Sequence, residues 1–160
     1  MRDRVGIGFD AHPFAAGREL KLGGVTIPHP SGLEGHSDGD ALLHALTDAV
    51  LGAAGLGSIG DHFPPSDARW KGADSATFLR KAGELARGRG FAIGNVDALV
   101  VAEAPKLAPH VPAIRSRIAE ILGTDADAIS VRGTSSNGLG FTGRKDGLAA
   151  MAVVLLTAIA

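Results

Sequence analysis

Apolar positions fall in short blocks separated by glycine, proline and polar residues, and the blocks predict alternating strands and helices. Arg4–Phe9 reads as a short first strand. Leu20–Leu22 and Val25–Ile27 flank Gly23-Gly24, a strong hairpin-turn signal. Asp38–Ala54 reads as a helix, with Asp38 placed to cap it and the glycines from Gly52 to Gly57 weakening its end. Gly55–Gly72, with two consecutive prolines, reads as a long loop of the kind that often carries function. Ser75–Arg87 has helical spacing with Gly88 as a stop, and Ile93–Ala102 is a strand pattern. Pro112–Leu122 is a helix with proline near its start and Gly123 just past its end. Ile129–Arg132 is a short strand, and Leu148–Ile159 is a final strand whose alanines would also suit a helix. The alternation predicts an α/β or α+β layer, helices packed on a sheet, in one domain spanning 1–160. The Asp38–Ala54 helix is apolar on nearly every side, which predicts burial in a core or against a neighbouring subunit.

Composition narrows the chemistry. With 160 residues and no cysteine, the chain can build a core but no disulfide and no thiolate metal site. Any metal must be held by His, Asp, Glu or backbone oxygen. Sixteen basic against seventeen acidic side chains argue against a nucleic-acid partner. No apolar run reaches the roughly 18 residues of a membrane span, and no apolar or Arg/Ser-rich leader precedes the first strand. The expectation is a soluble, cytoplasmic protein.

Candidate chemistry sits in five places. Asp10 and His12 lie two apart at a strand end and so share a face; they suit two ligands of one metal, or a simple hydrogen-bonded pair. Asp40, His44 and Asp48 recur every four residues on an otherwise apolar helix, where ionisable groups are costly unless paired or metal-bound. Asp10, His12 and His44 together would leave one open position, the pattern of a catalytic zinc site, with Asp48 or Asp40 orienting His44. His36 and Ser37 precede the helix, where they can offer donors to a phosphate or, for Ser37, simply cap. Lys106 follows a strand, as either a phosphate contact or a solvated lysine. Gly133–Gly143 is a glycine- and hydroxyl-rich loop, either an anion cradle or a plain flexible loop, with Arg144 behind it.

Seven stretches in order, Gly8–His12, Gly35–Asp40, His44–Asp48, Gly72–Ser75, Gly94–Asp97, Ala104–Lys106 and Leu139–Arg144, resemble the 2-C-methyl-D-erythritol 2,4-cyclodiphosphate synthase family over essentially the whole chain. The resemblance implies a homotrimer of mixed sheets with helices on one side and active sites between subunits. It implies zinc on Asp10, His12 and His44, and a second ion, Mg²⁺ or Mn²⁺, bridging the substrate phosphates. The implied reaction cyclises 4-diphosphocytidyl-2-C-methyl-D-erythritol 2-phosphate and expels CMP. His36 and Ser135 match positions that orient phosphates and stabilise the transition state. Ser37, Ser58, Gly60, Phe63, Asp67, Ala102, Pro105, Asn137 and Phe141 match substrate-binding positions, and Lys106, Leu107, Ala108 and Thr134 match the segments that hold CMP. Phe9 and Arg144 match the lining of an axial cavity that accepts isoprenoid diphosphates. Four positions depart from the family pattern. Ser58 stands where an aspartate usually binds the erythritol hydroxyls, and Asn137 where a glutamate usually binds the second metal. Pro65 replaces an aspartate, and Gly138 a lysine. Rival readings are a weakened relative serving as a nucleotide or isoprenoid-diphosphate sensor, a phosphohydrolase, and a purely structural trimer.

Overall fold

A computed structural model describes residues Met1–Ala160. Seven strands and five helices follow one another along the chain: β1 Arg4–Ala16, β2 Leu20–Leu22, β3 Val25–Ile27, β4 Ser31–Leu33, α1 Ala41–Ala54, α2 Ile59–His62, α3 Ser75–Gly88, β5 Phe91–Val101, α4 Val111–Leu122, β6 Ile129–Thr134, α5 Gly140–Gly143 and β7 Gly147–Ala158. Five strands form a mixed sheet in the order β4-β1-β7-β5-β6, parallel only between β5 and β6. The β2–β3 hairpin stands apart as a two-stranded ribbon.

Side chains alternate across the sheet. Leu148, Ala150, Ala152, Val154 and Leu156 of β7, with Val96, Ala98 and Val100 of β5, are buried against the helices. The opposite face has no cover in the single chain. Val5, Ile7 and Phe9 are 68%, 67% and 56% exposed, and Met151 and Val153 stand beside them.

The helix α1 lies almost directly on β1. A Cβ at Gly6 would sit 2.0 Å from the Ala49 carbonyl oxygen, and one at Gly8 would sit 1.8 Å from that of Ala45. Only glycine on the strand and alanine on the helix allow this approach. Two boundaries and one loop differ most from expectation. The first strand runs on through Asp10, His12 and Pro13 to Ala16, because pairing with β7 and then β4 carries it past residues that break the apolar alternation. The helix predicted from Asp38 begins at Ala41, since Gly39 takes a φ of +75° and Asp40, not Asp38, is the cap. The 55–72 segment is not structureless: it contains α2 and a 3₁₀ turn at Ala68–Trp70. The alanine-rich last segment is a strand, flanked on both sides by β1 and β5, so pairing overrides its helical propensity.

Asp40 is fully buried, and its carboxylate accepts from the amides of Gly23 (3.0 Å), Gly24 (2.7 Å) and Leu43 (3.0 Å). It caps α1 and pins the β2–β3 turn to the helix. Burial pushes this carboxyl above its ordinary value, the amides pull the other way, and Asp38 adds a further push upward. Asp40→Ala removes the cap, worth about 1 kcal/mol, and strands two turn amides at about 1 kcal/mol each. The expected loss in urea unfolding is about 3 kcal/mol, with a smaller loss for Asp40→Asn. A loss well under 1 kcal/mol would show that the carboxylate does not hold the hairpin.

Candidate metal centre and its cavity

Asp10 and His12 project from β1 on the face that Gly6 and Gly8 leave to α1, and His44 meets them from the first turns of that helix. His12 Nε2 lies 2.6 Å from Asp10 Oδ2 and 3.3 Å from His44 Nδ1, and His44 Nδ1 lies 3.0 Å from the same Asp10 oxygen. These three ligand atoms lie within 4.8 Å of one another and can hold one metal ion. The donor set suits zinc: a tetrahedron with arms of about 2.0–2.1 Å has edges of about 3.3 Å, close to the separation of the two imidazole nitrogens. Burial raises the Asp10 carboxyl, but hydrogen bonds and charge from His12 and His44 outweigh it and leave the group below its ordinary value. Burial lowers His12, yet Asp10 and the Glu34 carbonyl prevail and raise it above 6.5.

The protons behind the ligands are fixed by their partners. His12 Nδ1 faces the Glu34 carbonyl at 2.6 Å and must donate there, which frees Nε2 as a ligand. His44 Nε2 lies 2.8 Å from Ser75 Oγ and 3.0 Å from Ser37 Oγ. The Ser75 hydroxyl donates to Asp38, so Ser75 accepts from His44 Nε2–H and leaves Nδ1 free for the metal. This corrects the expectation that Asp48 or Asp40 orients His44. Asp40 is spent on the hairpin, and Asp48 accepts from the Ile59 amide at 2.7 Å, tying α2 to α1. Ser37 is buried against His44 and is not the cap of α1.

A cavity of about 260 Å³ opens over the triad, lined among others by His36, Ser37, Gly60, Phe63 and Pro65. Its apolar wall is the aromatic cluster of Phe63, Trp70 and Phe78, with Phe63 and Phe78 centroids 4.6 Å apart. Ser58 stands at the start of α2, and its hydroxyl donates to Asp61 Oδ2 at 3.1 Å. The Ser58 amide and hydroxyl hold the Asp61 carboxyl below its ordinary value. Asp67 is turned elsewhere, capping the 3₁₀ turn and gripping Arg69.

The remaining predicted residues are not in this cavity. Ala11, Ala149, Val101 and Thr134 form one row across β1, β7, β5 and β6. Three strand spacings place Thr134 roughly 14 Å across the same end of the sheet. Ala102, whose amide donates to the Thr134 carbonyl at 3.0 Å, lies there, and Pro105, Lys106 and Ala108 follow it along the chain. The Leu107 side chain belongs to the core, so only its main chain is free to meet a ligand. Ser135 and Asn137 begin a structured loop, not a flexible one: Ser136 Oγ bonds the Leu139 carbonyl (2.7 Å) and Thr142 Oγ1 (2.6 Å). The Gly138 amide donates to Glu103 at 3.1 Å. Phe141 is exposed, and Arg144 pairs with Asp146 at 3.0 Å.

The YgbB family model matches residues 3–157. The chain belongs to the YgbB family. Among YgbB relatives it is 56% identical over 153 residues to the 2-C-methyl-D-erythritol 2,4-cyclodiphosphate synthase of Ectopseudomonas mendocina, covering 96% of this chain and 98% of that protein. It is 58% identical to the bifunctional enzyme IspD/IspF of Hyphomonas neptunium, covering 96% of this chain and 40% of that longer protein. The solved structure of Plasmodium falciparum IspF in complex with CDP matches with a TM-score of 0.87 at 35% identity, covering 99% of this chain and 97% of that one.

Within this YgbB fold, Ser75 and Asp38 support His44 from stretches that carry the resemblance, but no local spacing in the sequence signals it. Asp61 beside Ser58 does have a sequence signal, a carboxylate three residues past a serine at a helix start. Replacing both hydroxyls, Ser37→Ala with Ser75→Ala, should weaken Zn²⁺ binding about 10–100-fold in chelator competition. Unchanged affinity would mean that α1 alone orients His44. Because a proton on His12 competes with the metal, wild-type affinity should also decline as pH falls through a range beginning above 6.5.

Proposed function

We propose that this chain is a cytoplasmic, homotrimeric lyase that converts 4-diphosphocytidyl-2-C-methyl-D-erythritol 2-phosphate to 2-C-methyl-D-erythritol 2,4-cyclodiphosphate and CMP. The observation that carries this reading is the Asp10–His12–His44 cluster, its ligand atoms pre-aimed by Glu34 and Ser75, at the floor of a cavity that also presents His36. An oxygen of the 2-phosphate bonds to the β-phosphorus, the bond from that phosphorus to the bridging oxygen breaks, and CMP leaves with the electron pair. Both reacting groups belong to one substrate, so the protein needs no nucleophile of its own. Its task is positioning and charge neutralisation.

Zinc held by Asp10, His12 and His44 would act as a Lewis acid toward the reacting phosphoryl group. His36 orients the diphosphate from the cavity wall, and the Ser58–Asp61 pair with Gly60 receives the erythritol hydroxyls. Phe63, Trp70 and Phe78 exclude water, which favours cyclisation over hydrolysis. Asn137 would hold Mg²⁺ or Mn²⁺ through its amide oxygen, which adds no charge, and the ion would neutralise phosphate charge as CMP leaves.

The trimer reading rests on two features. The residues matched to CMP, Lys106–Ala108 and Thr134, lie across the sheet from the metal, so a complete site joins one subunit's cavity to a neighbour's nucleotide half. The uncovered face of Val5, Ile7, Phe9, Met151 and Val153 is the apolar surface such an assembly would bury. Phe9, with Arg144, would then line an axial cavity suited to an isoprenoid diphosphate. No helix of the chain is long and apolar enough to cross a membrane.

CMP release with Zn²⁺ present and Mg²⁺ varied should match cyclic diphosphate mole for mole and vanish in His44→Ala. Inorganic phosphate as the product would indicate a hydrolase, and a metal-loaded protein without turnover would favour a sensor. Ile7→Lys places a charge in the apolar face; light scattering should find monomers, and CMP release should be lost with the trimer. A fully active Ile7→Lys monomer would refute the shared site.

A further inference from the structure

We propose that Arg18 is a positioning residue that clamps the His36 loop from behind, an inference that rests on His36 serving the reaction above. Arg18 lies between β1 and β2, outside the cavity. Its Nη1 donates to the Gly35 carbonyl at 3.0 Å, and its Nη2 donates to the Ser37 carbonyl at 2.8 Å. The two carbonyls bracket His36. The side chain is half-buried, and its guanidinium makes no ion pair, although Glu19 and Asp38 line the same groove. An ordinary surface arginine would take a carboxylate; this one spends its planar fork on two main-chain oxygens.

The rest of the loop is held in register with this clamp. The His36 carbonyl accepts from the Gly72 amide at 2.8 Å, and the Asp38 amide donates to the Ala73 carbonyl at 3.1 Å. Carbonyls 35, 36 and 37 are therefore all occupied from outside the cavity. The His36 amide has no acceptor within the chain, and it belongs to the peptide whose carbonyl Arg18 binds. A cationic donor on that carbonyl polarises the peptide and strengthens its N–H as a donor to an incoming phosphate oxygen. The stem of Arg18 is fixed as well: a Cβ at Gly32 would lie 2.7 Å from the Arg18 Cβ, so glycine there lets β4 pass close beside it. The anchor is thus built into the strand framework, and the loop follows it.

The test compares wild type with Arg18→Ala, Arg18→Lys and Arg18→Met. In Arg18→Ala, kcat for CMP release should fall about 10²-fold, the scale of a misplaced catalytic group, with KM within a few-fold and bound zinc unchanged. Added guanidinium ion should restore part of kcat in Arg18→Ala but not in Arg18→Met, whose side chain fills the channel. Lysine cannot bridge both carbonyls and should remain well below wild type. Amide exchange at Asp38 and Gly72 should quicken in Arg18→Ala, a readout that needs no turnover. If wild type releases no CMP, the functional reading fails, and amide exchange alone decides the clamp. Wild-type kcat together with unchanged exchange in Arg18→Ala would overturn the proposal, as would a kcat loss that guanidinium does not relieve and that leaves exchange unchanged.

Discussion

Nothing fits between α1 and β1. The Gly6 and Gly8 positions have room only for hydrogen because the carbonyls of Ala49 and Ala45 occupy the space a methyl would need. That contact sets the distance at which His44 stands over Asp10 and His12. Were the helix raised by the width of one side chain, the imidazole nitrogens would leave the edge length that a tetrahedral ion demands. The alanines on α1 and the glycines on β1 are thus part of the metal site, although none of them touches a ligand atom. Such a contact also explains why α1 is apolar on nearly every side: it lies beneath α3 and on the sheet at once, and Asp40 is the one buried carboxylate at its end.

The periodic elements were legible where local chemistry and pairing agree. Gly23-Gly24 gave the hairpin, Gly123 the end of α4, and the alternating residues of β5 their strand. The sequence misled where long-range pairing decided the outcome. Asp10, His12 and Pro13 look like a strand end because they break the apolar alternation, yet they lie mid-strand, since β7 pairs with them through Leu148 and Gly147. The ligands His12, His44 and Asp10 were legible through their spacing, but their supports were not. Aspartates four residues away on the same helix seemed the natural partners of His44. The fold instead brings in Ser75 from thirty-one residues away, a separation that helical periodicity does not encode.

The chain divides its chemistry between two ends of one row. The cavity with the triad faces the helices beside β1, while the segments proposed to hold the nucleotide hang from β5 and β6 at the same end of the sheet. A parallel β5–β6 pair at the sheet edge, with β5 antiparallel to β7, produces this, because both strands then finish at the end where β1 delivers Asp10 and His12. Each loop can vary without disturbing the other. The sheet supplies the fixed spacing, and the bare apolar face leaves a surface on which two such halves can be brought together.

The pairing of Ser58 with Asp61 bears on how relatives are compared. Position 58, aligned by itself, reads as a lost acid. In three dimensions Asp61, one helical turn along the chain, brings a carboxylate oxygen to 3.1 Å from the serine hydroxyl. Glu103 stands in a similar relation to the Asn137–Gly138 segment, through the Gly138 amide. Column-by-column scoring would take both departures as decay, whereas a carboxylate stands beside each segment. For proteins of this fold, inventories of surviving function are better drawn up by neighbourhood than by residue number.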